Sequence, residues 1–236
     1  MAEPEQVFGT GGIAAIDRPR ALTRFVMKIV QGAERLNLNC AIHGNPPVYD
    51  NAIFPWAADI EKAYPDIRAE LDHVLKRKDE LPNFHDISTD VNTISTDNRW
   101  KTFFLVGFGK PSANNIAQCP RTWKALQKIP GLKTVMFSVF DPVKHLRAHR
   151  GPYNGVLRLH LGLIVPEPRD KIAIRVVLFV EFVKLTRFPA NAANWLLFNL
   201  AIFTPFIQEG MENHKAWEKK FYAEAEKLRN AKQETP

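Results

Sequence analysis

The sequence predicts a mainly β domain with flanking helices. Three observations carry this prediction: residues 156–165 alternate between apolar and polar side chains, residues 172–183 are apolar almost throughout, and residues 101–108 and 134–140 are strand-like. Apolar residues at helical spacing precede and follow these strands. The chain has 236 residues, 45% of them hydrophobic, which suits one globular domain with a sizeable core.

The N-terminal part is predicted to be an arm followed by helices. Residues 1–20 are expected to form a flexible arm, whose acidic, glycine-rich start differs from a secretory signal. Residues 21–38 have the apolar spacing of an amphipathic helix. Such a helix can lie on a membrane, but it more often packs on a sheet, and we favour packing. Residues 54–78 are also expected to be helical, with a kink or a second start at Pro65.

The middle of the chain is predicted to alternate short strands and turns. Residues 114–119 are expected to form a loop. Residues 121–128 are expected to form a short helix, which Pro130 and Gly131 end. The strand at residues 134–140 follows directly.

The alternating strand places polar side chains on one face only. Leu157, Leu159, Leu161 and Leu163 share one face and require a core, whereas Arg158 and His160 project together from the other. The polar face is either the solvated side of an antiparallel sheet or the lining of a small β-barrel mouth. In a barrel mouth, a guanidinium can hold a carboxylate through two parallel hydrogen bonds. The pattern alone favours the solvated sheet, because sheets with one wet face are common.

The C-terminal part is predicted to be a helical extension over residues 188–236, following a main domain over residues 21–187. Residues 195–203 are very apolar but too short to span a bilayer comfortably. They form either a helix buried against the domain or one in a membrane interface, and both interpretations remain open. Residues 211–230 have the pattern of an amphipathic helix.

Charge and cysteine content narrow the function classes. The net charge is +7 and the pI about 9.4, yet no run of five basic residues and no nucleic-acid motif occurs. We therefore expect no nucleic-acid partner, although the charge suits an anionic membrane or an acidic substrate. Cys40 and Cys119 lack metal or disulfide spacing, which indicates reduced thiols in a cytoplasmic protein. Peripheral membrane contact through residues 195–207 is an open alternative.

The motif HRGPYNGVLRLHLGLIVP, residues 149–166, resembles the core motif of the aspartyl/asparaginyl β-hydroxylase family. The resemblance extends upstream through WKTFFLVGFG, CPRTWKALQKIPGL and MFSVFDPVKH, and downstream through VVLFVEF, RFPANAANWLL and WEKKF. It is nearest to the bacterial branch that includes lipid A hydroxylases. It implies a double-stranded β-helix (jelly roll, cupin-like) and a dioxygenase that depends on Fe(II) and 2-oxoglutarate. The implied reaction consumes O2, forms succinate and CO2, and hydroxylates an aspartyl or asparaginyl side chain or a lipid acyl chain.

The resemblance also implies roles for individual residues. His149 would be a catalytic iron ligand, and neutral imidazole suits iron. Arg158 would anchor a carboxylate of 2-oxoglutarate, and His160 and Ser138 would donate hydrogen bonds to the cosubstrate. Arg175 matches either a second arginine for 2-oxoglutarate or the arginine of the preceding strand.

One departure from the family pattern concerns iron. The family places its second iron histidine in a segment between the two strands HLGLIVP and VVLFVEF, and that segment is absent here. His145 is a poor substitute, because a His-x-x-x-His metal pair requires a helix and nearby prolines oppose one. Three explanations remain. The protein is a shortened relative that has lost catalysis and binds a membrane or a small molecule, or the sequence lacks part of the full protein. In the third, a partner or a rearranged loop supplies the missing iron ligand. We favour the second, since losing central strands exposes sheet edges and removes core.

Overall fold

A computed structural model of the protein describes residues 20–142, 144–146, 149, 151, 153–167 and 175–233, with only the backbone described at 20–23, 90, 93 and 227–233. The predicted arm therefore lies outside the described residues, except for residue 20. That residue begins the first helix.

The described strands form one five-stranded antiparallel sheet in the order β2-β1-β3-β5-β4. Their bounds are β1 Trp100–Gly107, β2 Lys110–Pro111, β3 Leu132–Phe140, β4 Val156–Ile164 and β5 Val176–Val183. The strands are rich in β-branched and aromatic residues, which fit a pleated, half-buried surface. A turn with Gly131 at φ +68° leads into β3, a conformation that glycine adopts without steric cost.

Eight α-helices are found among the described residues. Their bounds are α1 Arg20–Cys40, α2 Pro55–Lys62, α3 Tyr64–Leu75, α4 Phe84–Ile87, α5 Ala113–Gln118, α6 Pro120–Leu126, α7 Ala190–Ala201 and α8 Pro205–Gln233. Prolines stand in the first turn of α2, α3 and α6, where a missing N–H costs no hydrogen bond. The predicted break at Pro65 is confirmed, because α3 begins one residue earlier.

The main core lies between one face of the sheet and helices α2, α3 and α6. The leucine face of β4 packs against this core, as predicted, and Leu163 is buried. A buried carboxylate joins α3 to α6: Glu70 accepts hydrogen bonds from the backbone N–H groups of Arg121 and Thr122, at 2.9 and 2.8 Å. These N–H groups stand in the first turn of α6, where they have no partner within the helix.

The described residues cover the opposite face of the sheet only in part. Ile87 of α4, with Trp217 of α8 and Phe84, packs on Phe104 of β1 and Met136 of β3. On β4, Arg158 and His160 remain exposed. The open part of this face therefore coincides with the polar stripe of the alternating strand.

Two sequence predictions about the fold are wrong or unconfirmed. The mainly β prediction is wrong, because helices contribute more residues than strands to the part of the chain that the structure describes. The jelly roll is not confirmed: the residues described here form one sheet, with no second sheet packed across it. The connection between β4 and β5 comprises only residues 165–175, of which 168–174 are not described.

The predicted loop at residues 114–119 is a further error, because residues 114–118 belong to α5 and Cys119 lies between α5 and α6. The Ser112 hydroxyl accepts a hydrogen bond from the backbone N–H of Asn115 at 3.2 Å and thereby caps the helix. The Asn115 side chain is buried and donates to the backbone carbonyl of Phe104 at 2.7 Å. Tertiary contact thus stabilises a helix that its own six residues predict only weakly.

In the part of the chain that the structure describes, no single helix combines the length and apolarity needed to cross a bilayer. Helix α7 and residues Pro205–Glu226 of α8 are long and apolar enough only when taken together, and the pair is bent by 58°.

Candidate functional site

The predicted site residues of the strands lie on one face of the sheet. Ser138 of β3 pairs with Val177 of β5, and Val177 pairs with Gly162 of β4. Residues paired across antiparallel strands project to the same side, and Arg158 and His160 share the face of Gly162. Since β3 and β4 are separated by β5, about 10 Å of sheet separates their backbones. The three polar side chains therefore line one surface opposite the main core.

Arg158 is held on that surface by a carboxylate that sequence reasoning missed. Its Nε donates to Glu181 Oε1 on β5 at 2.8 Å, and one third of the arginine side chain is exposed. Its guanidinium carbon also lies 5.6 Å from the centre of the Phe179 ring. Direct pairing of residues 158 and 181 explains the contact. An apolar run interrupted by one glutamate was the available signal for Glu181.

The guanidinium of Arg158 also lies against the loop that carries His149. A Cβ atom built at Gly151 would lie 2.7 Å from Arg158 Nη2 and 2.9 Å from Cζ. Only glycine leaves room for the guanidinium at this point, because real Cβ contacts are not that short. The Arg158 guanidinium thus contacts Gly151, which follows His149 by two residues in the chain.

His160 lies beside an aromatic ring and close to Arg158. Its imidazole centre is 5.2 Å from that of Phe179, with which it is paired on β5. Partial desolvation of the ring and the charge of Arg158 lower the pKa of His160, although Glu181 opposes the shift. The imidazole is therefore neutral near neutral pH, and a neutral imidazole can donate one hydrogen bond and accept another.

Ser138 is buried, with 1% of its surface exposed. Its Oγ accepts a hydrogen bond from Trp100 Nε1 at 2.8 Å, and the Trp100 ring packs against Phe84 and Phe140. The hydroxyl retains its own O–H for donation. Ser138 therefore lies at the base of the polar face, where Trp100, which sequence reasoning missed, fixes its oxygen.

The loop between β3 and β4 carries His149. Ion pairs hold the first part of this loop in place. Asp141 pairs with Lys78. Lys144 Nζ contacts Ser95 Oγ at 2.7 Å and Asp97 Oδ1 at 2.9 Å. The hydrogen bond from Lys144 lowers the pKa of Asp97. His145 and His149 are both exposed in the described part of this loop.

The second part of the loop is fixed by a buried polar network, which sequence reasoning also missed. Asn37 Nδ2 of α1 donates to the Tyr153 hydroxyl at 2.9 Å and to Asn154 Oδ1 at 3.0 Å. The Tyr153 hydroxyl donates to Asn194 Oδ1 of α7 at 2.5 Å, and Asn194 Nδ2 donates to Asn37 Oδ1 at 2.9 Å. Asn37 and Asn194 are fully buried. The network joins α1 and α7 to the loop four residues after His149.

Arg175 lies directly before β5, at the end of the sheet. Its backbone N–H donates to the carbonyl of Ile164 at 2.9 Å, and its carbonyl accepts from the N–H of Phe140 at 2.8 Å. The residue is exposed. Its backbone thus links the ends of β4 and β3, so Arg175 lies at the sheet end nearer to Ser138 than to Arg158.

The residues described here do not complete an iron site. Among them, no group of three or more histidine, cysteine, aspartate or glutamate side chains could hold a metal ion. His149 is the single metal ligand that the sequence predicted, and its predicted partner segment is absent. Iron sites of this chemistry require several protein ligands on one side of the metal. The described donor set therefore does not fit iron by itself.

Comparison with known proteins adds a family and several relatives. A family model described as aspartyl/asparaginyl beta-hydroxylase matches residues 61–180, from α2 to β5. An ornithine lipid ester-linked acyl 2-hydroxylase of Rhizobium tropici is 63% identical over 259 residues, covering 96% of this chain and 92% of the relative. The human aspartyl/asparaginyl beta-hydroxylase is 35% identical over 78 residues, covering 31% of this chain and 10% of the relative.

The length of the Rhizobium tropici match bears on the absent segment. The match extends over 259 residues, whereas this chain has 236, so at least 23 positions of the relative have no counterpart here (259 against 236). A gap of this size agrees with the interruption of the family pattern between β4 and β5. The matched family region includes all five candidate site residues: Ser138, His149, Arg158, His160 and Arg175.

Proposed function

Because the chain belongs to the aspartyl/asparaginyl β-hydroxylase family, we propose that it hydroxylates an ester-linked acyl chain of an amino-acid-containing lipid. The observation that carries the proposal is the 63% identity to the ornithine lipid hydroxylase over nearly the whole of both chains. The human relative, whose name refers to aspartyl and asparaginyl groups, matches less than a third of this chain. Lipid is therefore favoured over a protein side chain as the substrate class.

The proposal includes the cofactors that the family resemblance implies, Fe(II) and 2-oxoglutarate, with O2 consumed and succinate and CO2 formed. Arg158 would hold a carboxylate of 2-oxoglutarate by charge-assisted hydrogen bonds. Its Nε is bonded to Glu181, so its Nη1 and Nη2 atoms, next to Gly151, are those that would face the cosubstrate. Neutral His160 and the Ser138 hydroxyl would donate further hydrogen bonds, and Arg175 would contribute a second cation.

His149 would bind the metal, but one histidine does not hold iron in a catalytic geometry. An active protein therefore needs at least one more ligand from outside the described residues or from another chain. A cytoplasmic location, with contact to a membrane, remains a prediction.

A second candidate function is a catalytically impaired relative that binds a membrane or a ligand. Two observations favour it: the described residues hold no group able to bind a metal, and at least 23 positions of the similar hydroxylase have no counterpart here. In this second candidate function, the protein keeps the fold and its binding surface but catalyses no reaction.

The two candidates separate in a product assay. The purified protein is incubated with Fe(II), 2-oxoglutarate, O2 and ornithine lipid, and mass spectrometry measures oxygen added to the ester-linked acyl chain while succinate is quantified. The proposed function predicts both products in equal amounts, and their loss in Arg158→Ala. If the Rhizobium tropici hydroxylase forms product under the same conditions and this protein does not, the impaired relative is correct. The intact mass of the natural protein decides whether it contains the absent segment.

A further inference from the structure

The exposed apolar side chains of this protein are concentrated on two helices and their junction. Among the described residues, 13 large apolar side chains are exposed, and 11 of these belong to α1, α7 or the segments that flank them: Ile42, Leu185, Phe188 and Phe203 lie in the flanking segments. On and just after α7, the most exposed are Trp195 at 68%, Leu200 at 56% and Phe203 at 76%. Single exposed apolar residues are ordinary, whereas such a concentration marks an interaction surface.

The exposed residues of α1 continue a helix face that is already engaged with the protein. Ala33 and Asn37 are buried, and Asn37 bonds to Asn194 of α7. Phe25 and Ile29 precede them at four-residue spacing, which places all four side chains on the same face. Phe25 is 62% exposed and Ile29 is 46% exposed. The apolar face of α1 thus runs beyond its contact with α7, and no described residue covers it there.

Helix α7 presents a face without charge. Residues 188–208, from before α7 into α8, contain no charged side chain. Ala190 and Asn194 are buried, whereas Trp195, Leu196 and Leu200 point away from that buried side. Phe198 differs, because it is partly buried, 5.8 Å from the Tyr153 ring and 4.6 Å from Lys133 Nζ. The contact surface of α7 is therefore formed by its exposed residues Trp195, Leu196 and Leu200.

Cationic residues accompany this apolar surface. Helix α1 contains Arg20, Arg24, Lys28 and Arg35 but only one acidic residue, Glu34. Lys28 and Arg35 are exposed, and Arg187, just before α7, is exposed too. An apolar face flanked by lysine and arginine matches the interfacial region of an anionic bilayer, where acyl chains meet negative headgroups. A second copy of this chain would carry the same positive charge, which opposes pairing through this surface.

We propose that α1 and α7 form a docking surface, the α1–α7 surface, for a bilayer that contains anionic lipid. The helices lie in the interface plane with Phe25, Ile29, Trp195 and Leu200 inserted. The Asn37–Tyr153–Asn194 network connects this surface directly to the loop that carries His149. The surface thereby brings membrane lipid to the polar face of the sheet. This last step rests on the proposed function, whereas bilayer binding itself does not.

Vesicle sedimentation tests the docking surface without requiring turnover. The purified protein is mixed with phosphatidylcholine vesicles that contain phosphatidylglycerol, and with vesicles of phosphatidylcholine alone. We expect binding to the anionic vesicles that weakens with added salt. The triple variant Trp195→Ser/Leu196→Ser/Leu200→Ser should lose on the order of 10-fold or more in partition coefficient, because it removes inserted apolar area. Lys28→Glu/Arg35→Glu should bind less to anionic vesicles only.

Val48→Ser is the matched control, because Val48 is 83% exposed but lies outside the α1–α7 surface. It should bind vesicles as the wild type does, and all variants should retain the wild-type denaturation midpoint, since the substituted side chains are exposed. Trp195 is the exposed one of the five tryptophans. Its insertion should shift tryptophan fluorescence to shorter wavelength, and Trp195→Phe should remove that shift while binding persists.

Several results overturn the proposal. These are the absence of vesicle binding by the wild type, equal binding by the triple variant, and light scattering that shows a dimer dissociated by the triple variant with no affinity for vesicles. Failure of the product assay with intact vesicle binding would refute the proposed function and leave the docking surface standing. Product formation without vesicle binding would refute the docking surface and leave the proposed function standing.

Discussion

The substitution Asn37→Ala tests whether the buried amide network holds α1 and α7 to the loop that carries His149. It removes the donor to Tyr153 and Asn154 and the acceptor for Asn194. Asn154 Oδ1 then loses its Asn37 donor, and Asn194 Nδ2 keeps only a 3.4 Å contact to Thr186 Oγ1. A buried polar group left without a partner costs about 1–3 kcal/mol. With two groups affected, the free energy of unfolding should fall by about 2–4 kcal/mol.

Denaturant titration followed by circular dichroism measures that change. Asn39→Ala is the matched control, because Asn39 lies on the same helix but is exposed. It should change the free energy of unfolding by no more than about 0.5 kcal/mol. Tyr153→Phe removes the hydroxyl shared by both amides and should cost about 1–2 kcal/mol. The double variant should show a coupling energy of about 1 kcal/mol or more, since the residues share one network.

Equal stability of the Asn37→Ala and Asn39→Ala variants would refute the network as a stabilising element. Additive effects of Asn37→Ala and Tyr153→Phe would refute the contact between these two residues.

Three further predictions concern other parts of the molecule. Gly151→Ala should displace the Arg158 guanidinium and weaken 2-oxoglutarate binding by tenfold or more, roughly 1.4 kcal/mol. The denaturation midpoint should barely move, because only the flexible end of the Arg158 side chain must shift. Unchanged affinity for 2-oxoglutarate would contradict the contact between Gly151 and Arg158. Partial desolvation and Arg158 lower the pKa of His160, and burial lowers the pKa of His214 in α8. As the pH falls through about 6.5, the unfolded chain therefore binds protons before the folded protein does. The free energy of unfolding should therefore decrease below that pH, and His214→Phe should reduce the decrease; a pH-independent stability between about pH 7.5 and 5.5 would contradict this. Burial raises the pKa of the Cys119 thiol to about 12, so a thiol reagent at about pH 8 should label native protein at Cys40 only, and label both cysteines after denaturation; labelling of native Cys40→Ser would contradict it.

Local sequence patterns predicted most of the helices and strands but not how these elements pack against one another. The helical spacing around Pro65 and the alternation of residues 156–165 each specify one element, and the structure contains both. Helix α5 was missed because its stability comes from the Ser112 cap and the buried Asn115 amide, which are tertiary contacts. The mainly β expectation failed for a different reason: it rested on the predicted strands, whereas helices contribute more of the described residues. The jelly roll followed the family resemblance, and it is not confirmed, since only residues 165–175 lie between β4 and β5.

The site was predictable where side-chain direction follows from strand periodicity. Arg158 and His160 share a face because they are two residues apart, and Ser138 joins them through register. The partners of Glu181 and Trp100 were not predictable, because they depend on which strands become neighbours, although the single glutamate in an apolar run marked Glu181 as unusual. Asn37 and Asn194 carried a faint signal: each is an amide on the apolar side of a helix. Their shared contact with Tyr153 depends on the packing of α1 against α7.

Calorimetric titration of 2-oxoglutarate into the wild-type protein and into Arg158→Ala, each with Fe(II) under anaerobic conditions, tests the central claim most directly. The claim is that Arg158, His160 and Ser138 form a carboxylate-binding face next to His149. The account predicts saturable binding by the wild type and an affinity at least 100-fold lower for Arg158→Ala, about 3 kcal/mol, as expected for loss of a charge partner. Absence of binding by the wild type, or equal affinity for both proteins, would contradict it.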